Sequence, residues 1–305
     1  MADLVGRFYE ATPRYNFESS LARRQEELAR HGATALLVEE LHRVFPDGRV
    51  PSVLEVGGEY ATTLAVLAQQ FRIDRRTSCD LILPAHQIEG IEYVAAPAES
   101  LARTFPPASF DLVLMIDVIE HLYDPDLVLE QIRAVLRPGG AVAIVTPNLA
   151  SWLNRLLLLG GYMPLDPEVS TRQIFGRPSP KEAPPAGHIR VFTLRALREF
   201  LRFHGYRLRE ARTAPLGFSH PTYVRPGGGP TGASAGSTNA APSGLDSPQG
   251  STMIRGMLAI DRLVARAWPS MGSRIVLVAS SDGPAPTASG PVSSPGSAGP
   301  RSGTG

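Results

Sequence analysis

Residues 110–147 constrain the fold of this chain most, because they predict a strand, a helix and a second strand in direct succession. The runs 112–116 and 141–145 are apolar at consecutive positions, which is typical of strands buried on both faces of a parallel sheet. Two parallel strands joined by a helix form the repeating unit of α/β proteins. The stretch therefore predicts an α/β fold, with a doubly wound, mostly parallel sheet and helices on both faces.

The helix between these two strands carries its own start and stop signals. Asp124 is a suitable cap, and Pro125 fits the first helical position. Apolar residues then recur at helical spacing as far as Leu136. We expect the helix to stop at the Pro-Gly-Gly turn of residues 138–140.

Periodicity and turn residues predict further elements on both sides of this unit. One or two helices are expected before the sheet, and apolar runs alternate with helical patterns after them. The predicted helices are 18–45, 62–71, 194–204 and 253–268, and the predicted strands are 53–56, 76–83, 91–95, 206–211 and 274–280.

Composition divides the chain into a folded part and two segments that cannot build a core. Gly, Pro, Ser, Ala and Thr dominate residues 225–252 and 282–305, which we expect to be disordered. The expected organisation is an N-terminal helical segment (1–50), an α/β domain (51–224) with a lid at 149–192, the insert (225–252), a helix and closing strand of the same domain (253–281), and the tail (282–305).

Charge and cysteine content exclude several classes of protein. The formal net charge is +1, and no dense basic stripe interleaved with aromatic residues suggests nucleic-acid binding. The single cysteine, Cys79, excludes an intrachain disulfide and a multi-cysteine zinc site, and it fits a cytoplasmic location. No segment reaches the ~20 apolar residues of a membrane-spanning helix, and the first residues do not resemble a secretory signal.

The first predicted strand leads into a glycine turn, Glu55-Val56-Gly57-Gly58-Glu59-Tyr60-Ala61. Together with the unit at 110–147, this arrangement resembles the class I S-adenosylmethionine-dependent methyltransferases over roughly residues 50–212. That family has a Rossmann-like sheet with a closing antiparallel strand. Its turn usually reads acidic, any, Gly, any, Gly, any, Gly, so that the backbone can approach the cofactor. Glu55 and Gly57 match, whereas Glu59 and Ala61 replace the second and third glycines. The resemblance assigns Glu55, Gly57, Gly58 and Ala61 to cofactor binding.

Two further positions correspond to the family's nucleoside-binding turns. Asp80 ends the second strand, where the resemblance implies a carboxylate that accepts hydrogen bonds from the ribose hydroxyls; an ordinary solvated aspartate is the alternative. The segment 93–101 is similar to the adenine-binding turn, although Pro97 replaces the usual aspartate. Backbone groups of Ala98 and Glu99 are therefore the expected adenine contacts.

Asp117, Glu120 and His121 follow the strand of residues 112–116, at the edge where open α/β sheets bind ligands. The segment resembles the acid-x-x-Glu-His sequence of ubiquinone-pathway O-methyltransferases, in some of which these side chains are associated with a divalent metal such as Mg²⁺. The alternative, which we favour, is that they shape the strand end beside the cofactor, with Asp117 contacting it. His121 is also a candidate catalytic group.

His188 lies in the segment Gly187 to Thr193, which resembles a segment of small-molecule methyltransferases whose histidine faces the acceptor. It could accept a proton from a hydroxyl group during methyl transfer; alternatively it only orients the loop. Residues 152–175 would form the lid, with an apolar wall of Trp152, Leu156, Tyr162 and Met163 or, as we favour for most of them, packing against the sheet.

These observations predict methyl transfer from S-adenosylmethionine to a small, apolar or aromatic hydroxylated acceptor. A noncatalytic partner or regulatory protein of the same fold is the alternative, because Glu59, Ala61 and Pro97 depart from the family pattern. Peripheral membrane contact through the amphipathic helix 253–268 is a third hypothesis. Neither the acceptor nor the oligomeric state can be read from the sequence.

Overall fold

Seven strands form one mixed sheet in the computed structural model, which describes residues 17, 20, 21, 24, 25, 32–178, 185–215 and 248–281. The strands are β1 Ser52–Val56, β2 Arg75–Asp80, β3 Glu92–Ala95, β4 Phe110–Ile116, β5 Leu136–Pro147, β6 Tyr206–Ala214 and β7 Arg274–Ser281. Their order in the sheet is β3-β2-β1-β4-β5-β7-β6. All pairs among β1 to β5 are parallel, and β7 is antiparallel to both of its neighbours. The predicted Rossmann-like sheet with a closing antiparallel strand is confirmed.

Helices cover both faces of this sheet, as predicted. Residues 17, 20, 21, 24 and 25 are helical, and the α-helices from residue 32 onward are α1 Ala33–Val44, α2 Thr62–Gln70, α3 Leu101–Thr104, α4 Pro125–Val135, α5 Trp152–Leu159, α6 Leu194–Phe203 and α7 Pro248–Ala267. One buried apolar cluster packs α3, α4 and α6 against the sheet, and a second packs α1 and α2 against the other face. Along β4, Val113 and Met115 join the first cluster, whereas Leu112 and Leu114 join the second. Burial on both faces explains the unbroken apolar run of this strand.

The helix α4 begins as the sequence predicts but ends one residue earlier. Asp124 Oδ1 accepts a hydrogen bond from the Leu127 backbone N–H at 3.0 Å, and Pro125 occupies the first turn. The prediction that Leu136 belongs to this helix is wrong, because Leu136 has extended backbone and pairs with Phe110 as the first residue of β5. The proline at position 138 disfavours helical backbone in the residue before it. Residues 138–140 therefore lie within the strand, where the pairing register with β4 shifts.

Other boundaries also differ from the prediction, and three of them differ by three residues or more. The strand β2 ends at Asp80, and the apolar residues 81–83 that extended its sequence pattern lie exposed beside a cavity. The strand β6 continues to Ala214, because β7 pairs with it along that length. The helix α7 begins at Pro248, five residues before the predicted start. The remainder of the predicted insert, up to residue 247, and the predicted tail from 282 lie outside the described residues.

The carboxyl ends of β1, β2 and β4 meet at one edge of the sheet. Val56, the last residue of β1, pairs with Cys79 of β2 on one side and with Met115 of β4 on the other. Ligands of open α/β sheets bind at this edge. None of the described helices is both long enough and apolar enough to cross a membrane.

Candidate functional site

A cavity of about 1100 Å³ lies at this edge of the sheet. Its floor consists of the turn after β1, the ends of β2 and β3, and the residues that follow β4. The opposite wall consists of residues 168–172 and 186–189. A cavity of this size can hold a small-molecule ligand together with a second small reactant.

The turn between β1 and α2 brings to the cavity a stretch of backbone that carries no side chain at Gly57. Gly57 has φ +67°, and a Cβ there would stand 2.6 Å from Cγ2 of Val118. Glu59 and Ala61, at φ 48° and 56°, adopt the left-handed backbone that glycine favours at the two degenerate positions. The turn therefore keeps a glycine-like shape without the glycines. Left-handed backbone at residues other than glycine costs about 1–3 kcal/mol each and is concentrated at functional sites.

Not every turn residue predicted to bind the cofactor reaches the cavity. Gly57 lines it, and so do Glu59 and Tyr60, which the sequence analysis did not select. Gly58 and Ala61 are not among the residues that line the cavity; a Cβ at Gly58 would stand 2.8 Å from the Glu55 side chain.

Glu55 is buried beneath the turn and supports it from behind. Its Oε2 accepts a hydrogen bond from the Leu64 backbone N–H in the first turn of α2 at 3.1 Å. Burial raises the pKa of the Glu55 carboxyl to about 7. The side chain is therefore placed to fix the turn and not to contact a ligand.

The raised pKa of Glu55 predicts a specific pH dependence of stability. The folded protein keeps this proton up to about pH 7, whereas the unfolded chain loses it above about pH 4.5, so the unfolding free energy falls as the pH rises between these values. At ~1.4 kcal/mol per pKa unit, the loss amounts to about 3 kcal/mol. We expect Glu55→Gln to abolish this dependence in urea unfolding measured from pH 4.5 to 8. Glu130→Gln, an exposed change on α4, is the control; a wild-type profile identical to that of Glu55→Gln would contradict the prediction.

Asp80 presents its carboxylate to the cavity from the end of β2. Oδ2 accepts a hydrogen bond from the Glu59 backbone N–H at 2.9 Å, and Oδ1 accepts one from the Leu81 backbone N–H at 2.7 Å. This carboxylate thus joins the β1 turn to the β2 end, and a carboxylate is the kind of acceptor that ligand hydroxyls bind. Ala98 and Glu99 line the same side of the cavity in a short 3₁₀ turn, Ala98–Ser100, that Pro97 introduces.

Asp117 lines the cavity just past β4 and has left-handed backbone, with φ 61°. Its carboxylate forms ion pairs with Arg274, at the start of β7, and with Arg24, whose Nη2 lies 3.5 Å away. The sequence analysis missed both arginines. They are distant in sequence from Asp117, and no local motif marks them.

Glu120 and His121 tie the strand end to the loop before α6. Glu120 is buried; its Oε2 accepts a hydrogen bond from the Thr146 hydroxyl at 2.9 Å, and its backbone carbonyl accepts from the Ile189 N–H at 2.8 Å. The Nδ1–H of His121 donates to the Gly187 carbonyl at 3.1 Å. Burial, together with the neighbouring His188, lowers the pKa of His121 to about 4, so its imidazole is neutral near pH 7.

His188 packs beside His121, with their ring centres 4.9 Å apart. Its Nδ1–H donates to the Asp166 carbonyl at 2.9 Å, which leaves the Nε2 lone pair available as a proton acceptor. His188 lines the cavity, as does His121. The structure thus brings the two histidines of the sequence analysis together.

The residues that could bind a metal ion in the structure differ from the predicted set. Potential ligand atoms of Glu120, His121 and His188 lie within 4.8 Å of one another, whereas Asp117 pairs with arginines. One carboxylate and two imidazoles, each with its Nδ1 held by a backbone carbonyl, are chemically suited to a divalent ion. These three residues would hold the ion, which would polarise an acceptor oxygen beside them.

Glu168 holds the loop that carries His188. Its carboxylate accepts hydrogen bonds from the backbone N–H groups of Ala186 at 2.7 Å, Gly187 at 2.6 Å and His188 at 3.2 Å. Glu168 lies in the predicted lid, but no sequence motif marks it. Its contacts fix the position of the His188 backbone.

The apolar wall of the cavity differs from the predicted one. Trp152, Leu156, Tyr162 and Met163 are not among its lining residues, and the favoured alternative, packing against the sheet, is wrong for Leu156 and Tyr162, which are exposed to solvent. The observed apolar lining comes from both sides of the cavity and consists of Tyr60, residues 81–85, Val118, Leu122, Tyr123, Val169 and Ile189.

Comparison with known proteins gives a family match over most of this fold. The family described as a methyltransferase domain matches residues 24–211. The ubiquinone biosynthesis O-methyltransferase of Parvibaculum lavamentivorans is 37% identical over 76 residues, which cover 25% of this chain and 29% of that protein. The fatty-acid O-methyltransferase of Mycolicibacterium smegmatis is 38% identical over 96 residues, covering 29% of this chain and 34% of that protein. The matches thus span about a third of the length of these two relatives.

Among solved structures, a complex between the Haloferax volcanii Trm112 methyltransferase activator and a putative methyltransferase matches with a TM-score of 0.50. The identity is 16%, and the match covers 87% of this chain and 95% of that one. At this identity the likeness concerns the fold.

Proposed function

The chain belongs to the methyltransferase domain family, and on that premise we propose that it transfers a methyl group from S-adenosylmethionine to a small acceptor. The observation that carries the proposal is the single cavity that brings together the β1 turn, the Asp80 carboxylate and the two neighbouring histidines. The first two fit a nucleoside with an attached amino acid. The histidines lie where a second reactant would meet it.

The cofactor is proposed to lie along the β1, β2 and β3 ends. Gly57 lines the cavity with backbone alone, which a ligand can approach closely, and Asp80 is placed to accept hydrogen bonds from ribose hydroxyls. Ala98 and Glu99 would flank the adenine. S-Adenosylmethionine, when bound, supplies a methyl group already activated by its sulfonium. The chain's own residues then need to orient the acceptor and exclude water.

The acceptor is proposed to be an apolar or aromatic molecule with a hydroxyl group, methylated on oxygen. The wall beside the histidines is largely apolar, with Leu122, Val169 and Ile189 among its residues. This proposal does not adopt the metal hypothesis: Nε2 of His188 carries no ion and accepts the hydroxyl proton as the methyl group arrives. The two relatives are a ubiquinone biosynthesis O-methyltransferase and a fatty-acid O-methyltransferase, which supports oxygen as the methylated atom.

The geometry of the β1 turn removes the main reason for the alternative that the protein is noncatalytic. Glu59 and Ala61 were the departures that suggested loss of cofactor binding, yet both adopt the left-handed backbone that the family's glycines would supply. Pro97 introduces the turn of Ala98 and Glu99 without blocking the cavity.

Calorimetric titration of the full chain with S-adenosylmethionine and with S-adenosylhomocysteine tests the proposal. We expect both to bind with dissociation constants in the micromolar range, which corresponds to about 8 kcal/mol of binding free energy. Adenosine alone should bind more weakly, because it lacks the amino-acid part that approaches the β1 turn. If neither S-adenosylmethionine nor S-adenosylhomocysteine binds at millimolar concentration, the noncatalytic alternative is favoured.

A further inference from the structure

The short helix α5 exposes more leucine side chains to solvent than a surface helix normally does. Leu156, Leu158 and Leu159 are 54%, 55% and 84% exposed within two helical turns. A helix that is apolar around its circumference is usually buried. Single exposed leucines are common, but a contiguous group of them marks an interaction surface.

The helix α7 is joined to α5 and also exposes large apolar side chains. The indole N–H of Trp152 in α5 donates to Asp261 Oδ1 in α7 at 2.6 Å, and the Ser273 hydroxyl donates to the same oxygen at 3.2 Å. These bonds connect the two helices through a buried carboxylate. The two helices, with the residue that follows α7, present an apolar docking face, defined here by the exposed residues Leu156, Leu158, Leu159, Ile260, Leu263 and Trp268.

The exposed charged side chains that the structure describes on α5 and α7 themselves are all positive. Arg155 on α5 and Arg262 and Arg266 on α7 are exposed. Asp261 is the only acidic residue in the sequences of both helices, and it is 3% exposed because it binds Trp152. The described docking face therefore combines leucine, isoleucine and tryptophan with arginine and has no exposed acid.

The combination of apolar side chains and positive charge indicates which partner the docking face can bind. A second copy of the chain, related by a two-fold axis, would set the same positively charged surface against itself. An anionic lipid surface supplies the opposite charge together with an apolar interior for the leucines. Tryptophan is enriched at the boundary between lipid and water.

We propose that the docking face binds peripherally to membranes that contain anionic lipids, with the α5 leucines inserted below the headgroups. The helix α5 is also tied to the cavity wall, because the Asn154 side-chain amide donates to Asp166 Oδ2 at 3.1 Å and the Asp166 carbonyl accepts from His188. The docking face thus lies on the element next to the acceptor side of the cavity. Membrane binding goes beyond the proposed methyl transfer and does not depend on it.

Flotation of the full chain with lipid vesicles tests the proposal. We expect the protein to float with vesicles of phosphatidylcholine and phosphatidylglycerol and to float weakly with phosphatidylcholine alone. The double change Leu158→Glu and Leu159→Glu should lower the partition coefficient at least about tenfold. Phe203→Glu is the matched control, because Phe203 is an apolar residue 82% exposed on α6, outside the docking face, and should float as the wild type does.

The contribution of charge is tested by a second pair of variants. Changing Arg262 and Arg266 to Gln should weaken binding to anionic vesicles about thirtyfold, since each arginine contributes about 1 kcal/mol near such a surface. Changing Arg195 and Arg202 of α6 to Gln is the control and should have little effect. Absence of flotation by the wild type, or equal flotation by the docking-face variants, would overturn the proposal. The proposal would also be overturned if sedimentation velocity showed a dimer and the two leucine changes dissociated it.

These outcomes are separable from those of the methyl-transfer proposal. Vesicle flotation requires no cofactor, and cofactor titration requires no vesicle. A protein that floats but fails to bind S-adenosylmethionine would retain this inference and lose the other.

Discussion

Replacing Gly57 with valine is expected to lower the affinity for S-adenosylhomocysteine at least about tenfold. A Cβ at this position would stand 2.6 Å from Val118 Cγ2, and the backbone has φ +67°. The turn must therefore shift to accommodate the side chain, at a cost of about 1–3 kcal/mol for overpacking alone. Because Gly57 and Val118 both line the cavity, that shift changes the surface that the cofactor would contact. Calorimetric titration with S-adenosylhomocysteine measures the effect.

The matched control for this change is Gly48→Val. Gly48 has nearly the same backbone, φ +68°, but a Cβ there would meet no atom within 4 Å, and the residue precedes β1 at the opposite end of the strand. Both variants carry the cost of a β-branched residue in left-handed backbone, so thermal melting should fall in both. Only Gly57→Val should lose cofactor affinity. Equal affinities of the two variants would remove the β1 turn from the proposed binding site.

Replacing His188 with asparagine is expected to lower the rate of methyl transfer about 10²–10⁴-fold while leaving cofactor affinity unchanged. His188 lines the acceptor side of the cavity, and its Nε2 is the proposed proton acceptor. The rate can be measured from transfer of a radiolabelled methyl group to a catechol that carries an alkyl chain. A loss confined to KM would contradict a role in proton transfer.

A more acidic acceptor separates proton transfer from loop orientation. If His188 acts as the base, a nitro-substituted catechol, which ionises more readily, should restore much of the rate of His188→Asn. If His188 only holds the loop through the Asp166 carbonyl, the nitro group should give no recovery. His42→Asn serves as the control, because His42 is exposed on α1 and packs on Phe71, away from the cavity.

The parts of the fold that the sequence predicts are those determined by local chemistry. The consecutive apolar residues of β4 and β5 reflect burial on both faces, and Asp124 and Pro125 place the start of α4 within a single turn. The errors arise where a residue serves a distant partner. The apolar residues 81–83 extended the pattern of β2, but the structure uses them as cavity wall.

The candidate site divides in the same way. Gly57, Asp80, His121 and His188 occupy recognisable positions at strand ends or in motifs, and all four line the cavity. The partners that hold the site in place come from far along the chain. Arg24 and Arg274 reach Asp117 from opposite ends of the described residues, and Glu168 binds the loop of His188 from the lid. No local pattern encodes such contacts, because any exposed arginine or glutamate would look the same in sequence.

The position of β7 in the sheet determines when the sheet can finish folding during synthesis. Although β7 is the last strand of the described chain, it lies between β5 and β6 and supplies Arg274 to the cavity edge. During synthesis, the edge of β5 must therefore stay open until residue 281 has left the ribosome, some 130 residues after β5 itself has been made. An unpaired strand edge exposed for that long invites pairing with other chains. The nascent protein is thus expected to depend on protection by chaperones until its final strand closes the sheet.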